Sequence, residues 1–72
     1  MKYEKKIKIF VNGQKYQCSK SITLLNLLSY LNYQPSLLVI EYNKIICNSN
    51  DWKKVYLTMN DQIEIVTIVG GG

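Results

Sequence analysis

The 72-residue chain contains no histidine, no arginine, one proline, two cysteines and five carboxylates. The missing histidine removes the commonest general base and the commonest metal ligand together. Cys18 and Cys47 stand alone in the β-prone runs Tyr16-Gln17-Cys18 and Ile45-Ile46-Cys47, whereas zinc and iron–sulfur sites usually draw on four ligands, often in C-x-x-C pairs. A disulfide between them is compatible with the count and not required by it; they read as small buried hydrophobes in a reducing compartment. Glu4, Glu41, Asp51, Asp61 and Glu64 have no paired spacing for acid–base catalysis, and no nucleophile stands beside a base. Gly13 is the single glycine before the C-terminus, so no glycine-rich loop can cradle a phosphate. The expectation is a protein with no catalytic residues of its own, no metal and no bound cofactor.

Size and charge narrow the choice further. A domain this short buries only about 60% of its unfolded surface, which leaves little room for an enclosed cleft. No stretch approaches the roughly 20 apolar residues that span a bilayer, so no membrane role is expected. The net charge of +4 rests on nine lysines, several in Lys2, Lys5, Lys6, Lys8 and Lys53-Lys54. Nucleic-acid readers usually add arginine and aromatics on a binding strand, so the surface fits steering of an acidic protein partner better than nucleic acid. Lysine in place of arginine, with nine Ile, seven Asn and six Tyr, is the mark of an AT-rich coding sequence. It fits a low-GC bacterium or a plastid genome, with the cytoplasm or the plastid stroma as the expected location.

The hydrophobic pattern is more informative. Lys6 to Val11 alternates, with Ile7, Ile9 and Val11 on one face, and Asn12-Gly13 is a type I′ hairpin signal leading into a return strand over Gln14–Cys18. From Thr23 the period changes: Leu24, Leu27, Leu28 and Leu31 mark an amphipathic helix of two to three turns, with Thr23 as N-cap and Asn32 to Pro35 as its end. Leu37–Tyr42 and Lys44–Cys47 read as strands reversing at Asn43-Lys44. Ser49 or Asp51 caps a short turn whose Trp52 covers the edge of the core, and Val55–Leu57 is a short strand or a packed segment. After a turn at Asn60-Asp61, Gln62–Val69 is the last strand, with Ile63 and Ile65 inward and Glu64, Val66 and Ile68 outward.

The order predicts an α+β fold, a mixed sheet of four to five strands packed on one main helix, with the first and last strands parallel neighbours at its centre. This is a β-grasp arrangement. Residues 1–69 form its single domain and residues 70–72 a flexible tail. Gly70, Gly71 and Gly72 are three of the four glycines. Without Cβ atoms they can thread a channel too narrow for side chains, and three extended residues reach about 10 Å. A free carboxylate resists substitution, but an ATP-dependent partner can convert it to an acyl-adenylate that a sulfur or nitrogen nucleophile attacks. Phe10, Val66 and Ile68 are expected to share an exposed face next to the tail, with Lys6, Lys8 and Glu64 at the rim, as a partner-binding patch.

The whole chain resembles the ThiS family of sulfur carriers. The resemblance rests on Val11-Asn12-Gly13, Thr23-Leu24-Leu25-Asn26-Leu27-Leu28, Leu38-Val39-Ile40-Glu41-Tyr42-Asn43, Trp52 after a polar turn and, most specifically, Asp61-Gln62-Ile63-Glu64-Ile65-Val66 running into Val69-Gly70-Gly71-Gly72. It implies a ubiquitin-like β-grasp fold and a Gly72 carboxylate adenylated by an E1-like, ThiF-type enzyme using ATP. Gly72 would then be converted to a thiocarboxylate with sulfur from a cysteine desulfurase or another donor and discharged to thiazole synthase. The free carrier is expected to be a monomer. The alternatives are the small subunit of molybdopterin synthase or a tRNA-thiolation carrier, which share the chemistry, and a β-grasp interaction module whose glycines are incidental.

Overall fold

The computed structural model describes residues 5–34 and 37–68. Strand β1 (Lys6–Val11) turns at Asn12-Gly13 into β2 (Gln14–Ser19). Helix α1 (Leu24–Tyr30) follows, then β3 (Leu38–Tyr42), β4 (Ile45–Cys47), a 3-10 turn over Ser49–Asp51, and β5 (Gln62–Thr67). The sheet order is β2-β1-β5-β3-β4. β1 and β5 are parallel, and the other neighbours run antiparallel. The expected β-grasp is therefore present, with the last strand inserted at the centre of the sheet.

Local chemistry explains the reversals. Asn12 and Gly13 have φ of 50° and 81°, and Asn43 and Lys44 have φ of 52° and 73°. Both tight hairpins thus have the two positive-φ residues that match the right-handed twist of the strands. The helix starts with a capping box: Asn26 N–H donates to Thr23 Oγ1 at 3.1 Å, and Thr23 N–H donates to Asn26 Oδ1 at 3.0 Å. It stops where Asn32 takes φ 65°.

Ile7, Ile9 and Val11 of β1, Ile40 of β3, Ile63 and Ile65 of β5, and Leu24, Leu27 and Leu28 of α1 close a single core with Trp52 and Leu57. Two expectations change here, for Trp52 and for the cap of the 3-10 turn. Trp52 is only 2% exposed, so it belongs to the core itself and is no cover at its edge; its indole N–H is satisfied by Cys47 O at 3.0 Å. Asn48, not Ser49 or Asp51, caps the 3-10 turn, accepting from Asn50 N–H at 2.9 Å. An asparagine one position before the turn can reach the N–H two residues on, as in an Asx-turn. Of the two readings for Val55–Leu57 the packed segment holds: Leu57 is in the core with Val55 against it, and Tyr56 bridges to Thr23. Cys18 and Cys47 are half-buried free thiols on β2 and β4, the opposite edges of the sheet, so they do not pair. Burial raises both thiol pKa values, reinforced by the charges of Asp61 and Asp51 respectively.

Candidate functional site

β5 carries the chain toward its C-terminus, and three polar side chains hold it in place. Asn12, at the end of β1, accepts Ile65 N–H through Oδ1 at 2.7 Å, while its own N–H donates to Ile63 O at 2.8 Å. Asn43, in the β3–β4 turn, accepts Gln62 N–H at 2.8 Å and donates to Asp61 Oδ1 at 3.1 Å. Asp61 is almost wholly buried and receives three further bonds: Tyr42 hydroxyl at 2.6 Å, Thr58 N–H at 2.8 Å and Thr58 hydroxyl at 2.9 Å.

Burial by itself would raise the Asp61 carboxyl pKa. The donors Tyr42, Thr58 and Asn43 outweigh it and hold the group below its ordinary value. Tyr42 moves the other way, its hydroxyl pushed up to about 12 by burial and by its bond to the Asp61 carboxylate. Sequence reasoning saw Asn12, Asn43 and Asp61 only as turn residues. Their second task, fastening β5 by side-chain bonds, depends on partners 19 and 53 positions away.

Beyond the level of Asn12, β5 has, among the described residues, a strand neighbour only on its β3 side: Val39 faces Val66, Leu38 faces Thr67, and Ile68 N–H donates to Leu37 O at 2.8 Å. The outer face of the sheet there is apolar and open, with Val66, Ile68 and Leu37 about half exposed and Val39 half-buried beside them. The structure separates Phe10 from this group. Phe10 pairs with Gln62, four residues before Val66, so at roughly 3.3 Å per residue it lies about 13 Å back along the strand. Lys8 lies over its ring at 5.8 Å from the centroid. Lys6 and Lys8 therefore border the other half of the face, and Leu37 and Val39 take the place expected for Phe10. Parallel register, which alternation cannot reveal, makes the difference. Gly70, Gly71 and Gly72 lie outside the described residues. Among the described residues no cluster of potential metal ligands occurs, and no helix is long and apolar enough to cross a membrane.

The ThiS family profile matches residues 6–72, which includes the three terminal glycines. The chain belongs to the ThiS family. It is thus a small sulfur carrier. The carrier is 54% identical over 63 residues to protein ycf40 of Trieres chinensis, covering 88% of this chain and 86% of that protein. It is 39% identical over 66 residues to protein ycf40 of Pyropia yezoensis, covering 92% and 93% of the two chains. A thiazole synthase of Magnetococcus marinus is 35% identical over 66 residues, which is 92% of this chain but only 20% of that protein. The crystal structure of the thiamine biosynthesis protein ThiS from Geobacter metallireducens superposes with a TM-score of 0.79 at 23% identity, covering 92% of this chain and all of that one. The last likeness shows the shared β-grasp fold.

Proposed function

We propose that this carrier bears sulfur as a thiocarboxylate on Gly72 and delivers it for thiazole formation. The family match running through residue 72, directly after a strand from the centre of the sheet, is the observation that supports the reading best. The Gly72 carboxylate oxygen attacks the α-phosphorus of ATP in a ThiF-type E1-like enzyme, and pyrophosphate leaves. Hydrosulfide then displaces AMP at the acyl carbon to give the thiocarboxylate; where a cysteine desulfurase supplies the sulfur as a persulfide, its attack gives an acyl disulfide, and a thiol reductant cleaves the S–S bond, releasing the thiocarboxylate and leaving as a disulfide. ATP is a substrate of the partner and is not bound by the carrier. Gly70 and Gly71 thread the partner's active site because their backbone has no side chain to exclude.

Thiazole synthase is the proposed acceptor. The reading is supported by the protein of that name from Magnetococcus marinus, a fifth of which resembles this carrier. The ycf40 relatives and the AT-rich composition support a plastid gene and work in the stroma.

The test is intact-protein mass spectrometry after incubation with a ThiF-type enzyme, ATP and a sulfur donor. The expected product is heavier by the difference between one sulfur and one oxygen, and deletion of Gly72 abolishes it. An unchanged mass with an enzyme that thiolates another carrier overturns the reading.

A further inference from the structure

Glu41 on β3 and Glu64 on β5 stand directly opposite each other on the outer face of the sheet. Like charges in that position weaken strand pairing. Among the described residues the ion pair is Lys54 with Asp51 at 3.9 Å, remote from this position in the chain. The lysines on the same face, Lys6, Lys8 and Lys15, are on β1 and β2, across β5 from Glu41. A chain with nine lysines thus places two glutamates at opposed positions of neighbouring strands near the centre of its sheet, and local rules tend to be broken where function requires it.

The surroundings point to what covers the pair. Next along the strands toward the C-terminus come Val39 and Val66, then Leu37 and Ile68, while Ile46 of β4, 69% exposed, faces Glu41 from the other side. Four residues follow Ile68, and they reach at most about 14 Å. A protein that takes Gly72 into its active site therefore places that site within this distance of Ile68 and covers the apolar strip beside it.

Resting on the adenylation reading, we propose that Leu37, Val39, Val66 and Ile68 are the docking strip for the adenylating enzyme, which sets a lysine or arginine side chain between Glu41 and Glu64. The lysines on β1 and β2 fix the rotation of the complex. A half-turn about the face would bring the enzyme's basic group against Lys6, Lys8 and Lys15 and direct its active site away from the tail. Charge across the face thus sets orientation as well as encounter rate.

The experiment measures ATP–pyrophosphate exchange by the ThiF-type enzyme against carrier concentration, for the wild-type carrier, the double variant Glu41→Gln with Glu64→Gln, and the double variant Glu41→Lys with Glu64→Lys. The expected result is a KM for carrier raised roughly tenfold in the glutamine variant and further in the lysine variant, with kcat within about twofold. Added salt should raise the wild-type KM and leave that of the glutamine variant nearly unchanged. Thermal unfolding of the glutamine variant should move up by roughly 1–4 °C, because the like-charge pair is gone. A purely structural pair would instead lower the unfolding temperature and spare KM, which overturns the proposal. Exchange with unchanged KM in both variants overturns the docking surface alone, whereas no exchange with the wild-type carrier overturns the adenylation reading beneath it.

Discussion

Asp61 carries a charge where water hardly reaches it, and four hydrogen bonds make that arrangement stable. Asp61→Asn turns an acceptor-only group into one that directs an N–H₂ at existing donors, so it should cost about 2–4 kcal/mol in urea unfolding followed by Trp52 fluorescence. The pH dependence follows from the same bonds. The folded pKa is depressed, so the Asp61 contribution is fully present above the ordinary carboxylate value of about 4 and is lost as pH falls through the lower folded value. Wild-type stability should therefore hold from neutrality to about pH 5 and decline below it. The Asp61→Asn variant should show a shallower acid decline, and equal slopes for the two proteins would remove Asp61 as the source. Gly13 is a simpler case. An added Cβ would meet nothing within 4 Å, yet φ is +81°, so Gly13→Ala should cost about 1–2 kcal/mol from backbone strain alone.

At the scale of elements, α1 and β5 divide the labour. The seven residues of α1 are too few to be helical alone. The capping box and the burial of Leu24, Leu27 and Leu28 against the sheet hold it. Thr23→Ala should lower stability by about 1 kcal/mol, and Leu28→Ala by about 2–5 kcal/mol, in denaturant titrations. β5 is different because its two halves have different tasks. Ile63 and Ile65 are buried between β1 and β3, while Val66 projects from the outer face at 55% exposure. Val66→Asp should therefore leave circular dichroism and unfolding temperature nearly unchanged while suppressing adenylation at least tenfold by removing apolar contact. Unaltered adenylation kinetics would exclude Val66 from the partner contact.

For the whole molecule, the arrangement separates stability from chemistry. Among the described residues the core runs from Ile7 to Ile65, and the proposed reacting group is on Gly72. Deleting Gly71 and Gly72 should shift the unfolding temperature by less than about 1 °C and abolish thiolation. A carrier whose glycines were incidental would keep its biological activity after the same deletion.

Much of the fold was legible because local signals agree with one another. Alternation over Lys6–Val11, Asn-Gly in the first turn and the leucine period after Thr23 each act over a few residues, and each element formed where its pattern lay. The glycines at positions 70–72 carry the proposal of a displayed carboxylate, which the thiolation measurement tests. Only the tertiary structure decided which exposed residues are neighbours. Parallel pairing of β1 with β5 matches Phe10 with Gln62 and leaves Val66 and Ile68 beside Val39 and Leu37. The antiparallel register of β3 with β5 sets Glu41 against Glu64 and brings Asn43 onto β5, as the end of β1 brings Asn12. The physical reason is that alternation reports which face a residue occupies, whereas strand register is chosen by the packing of the whole core.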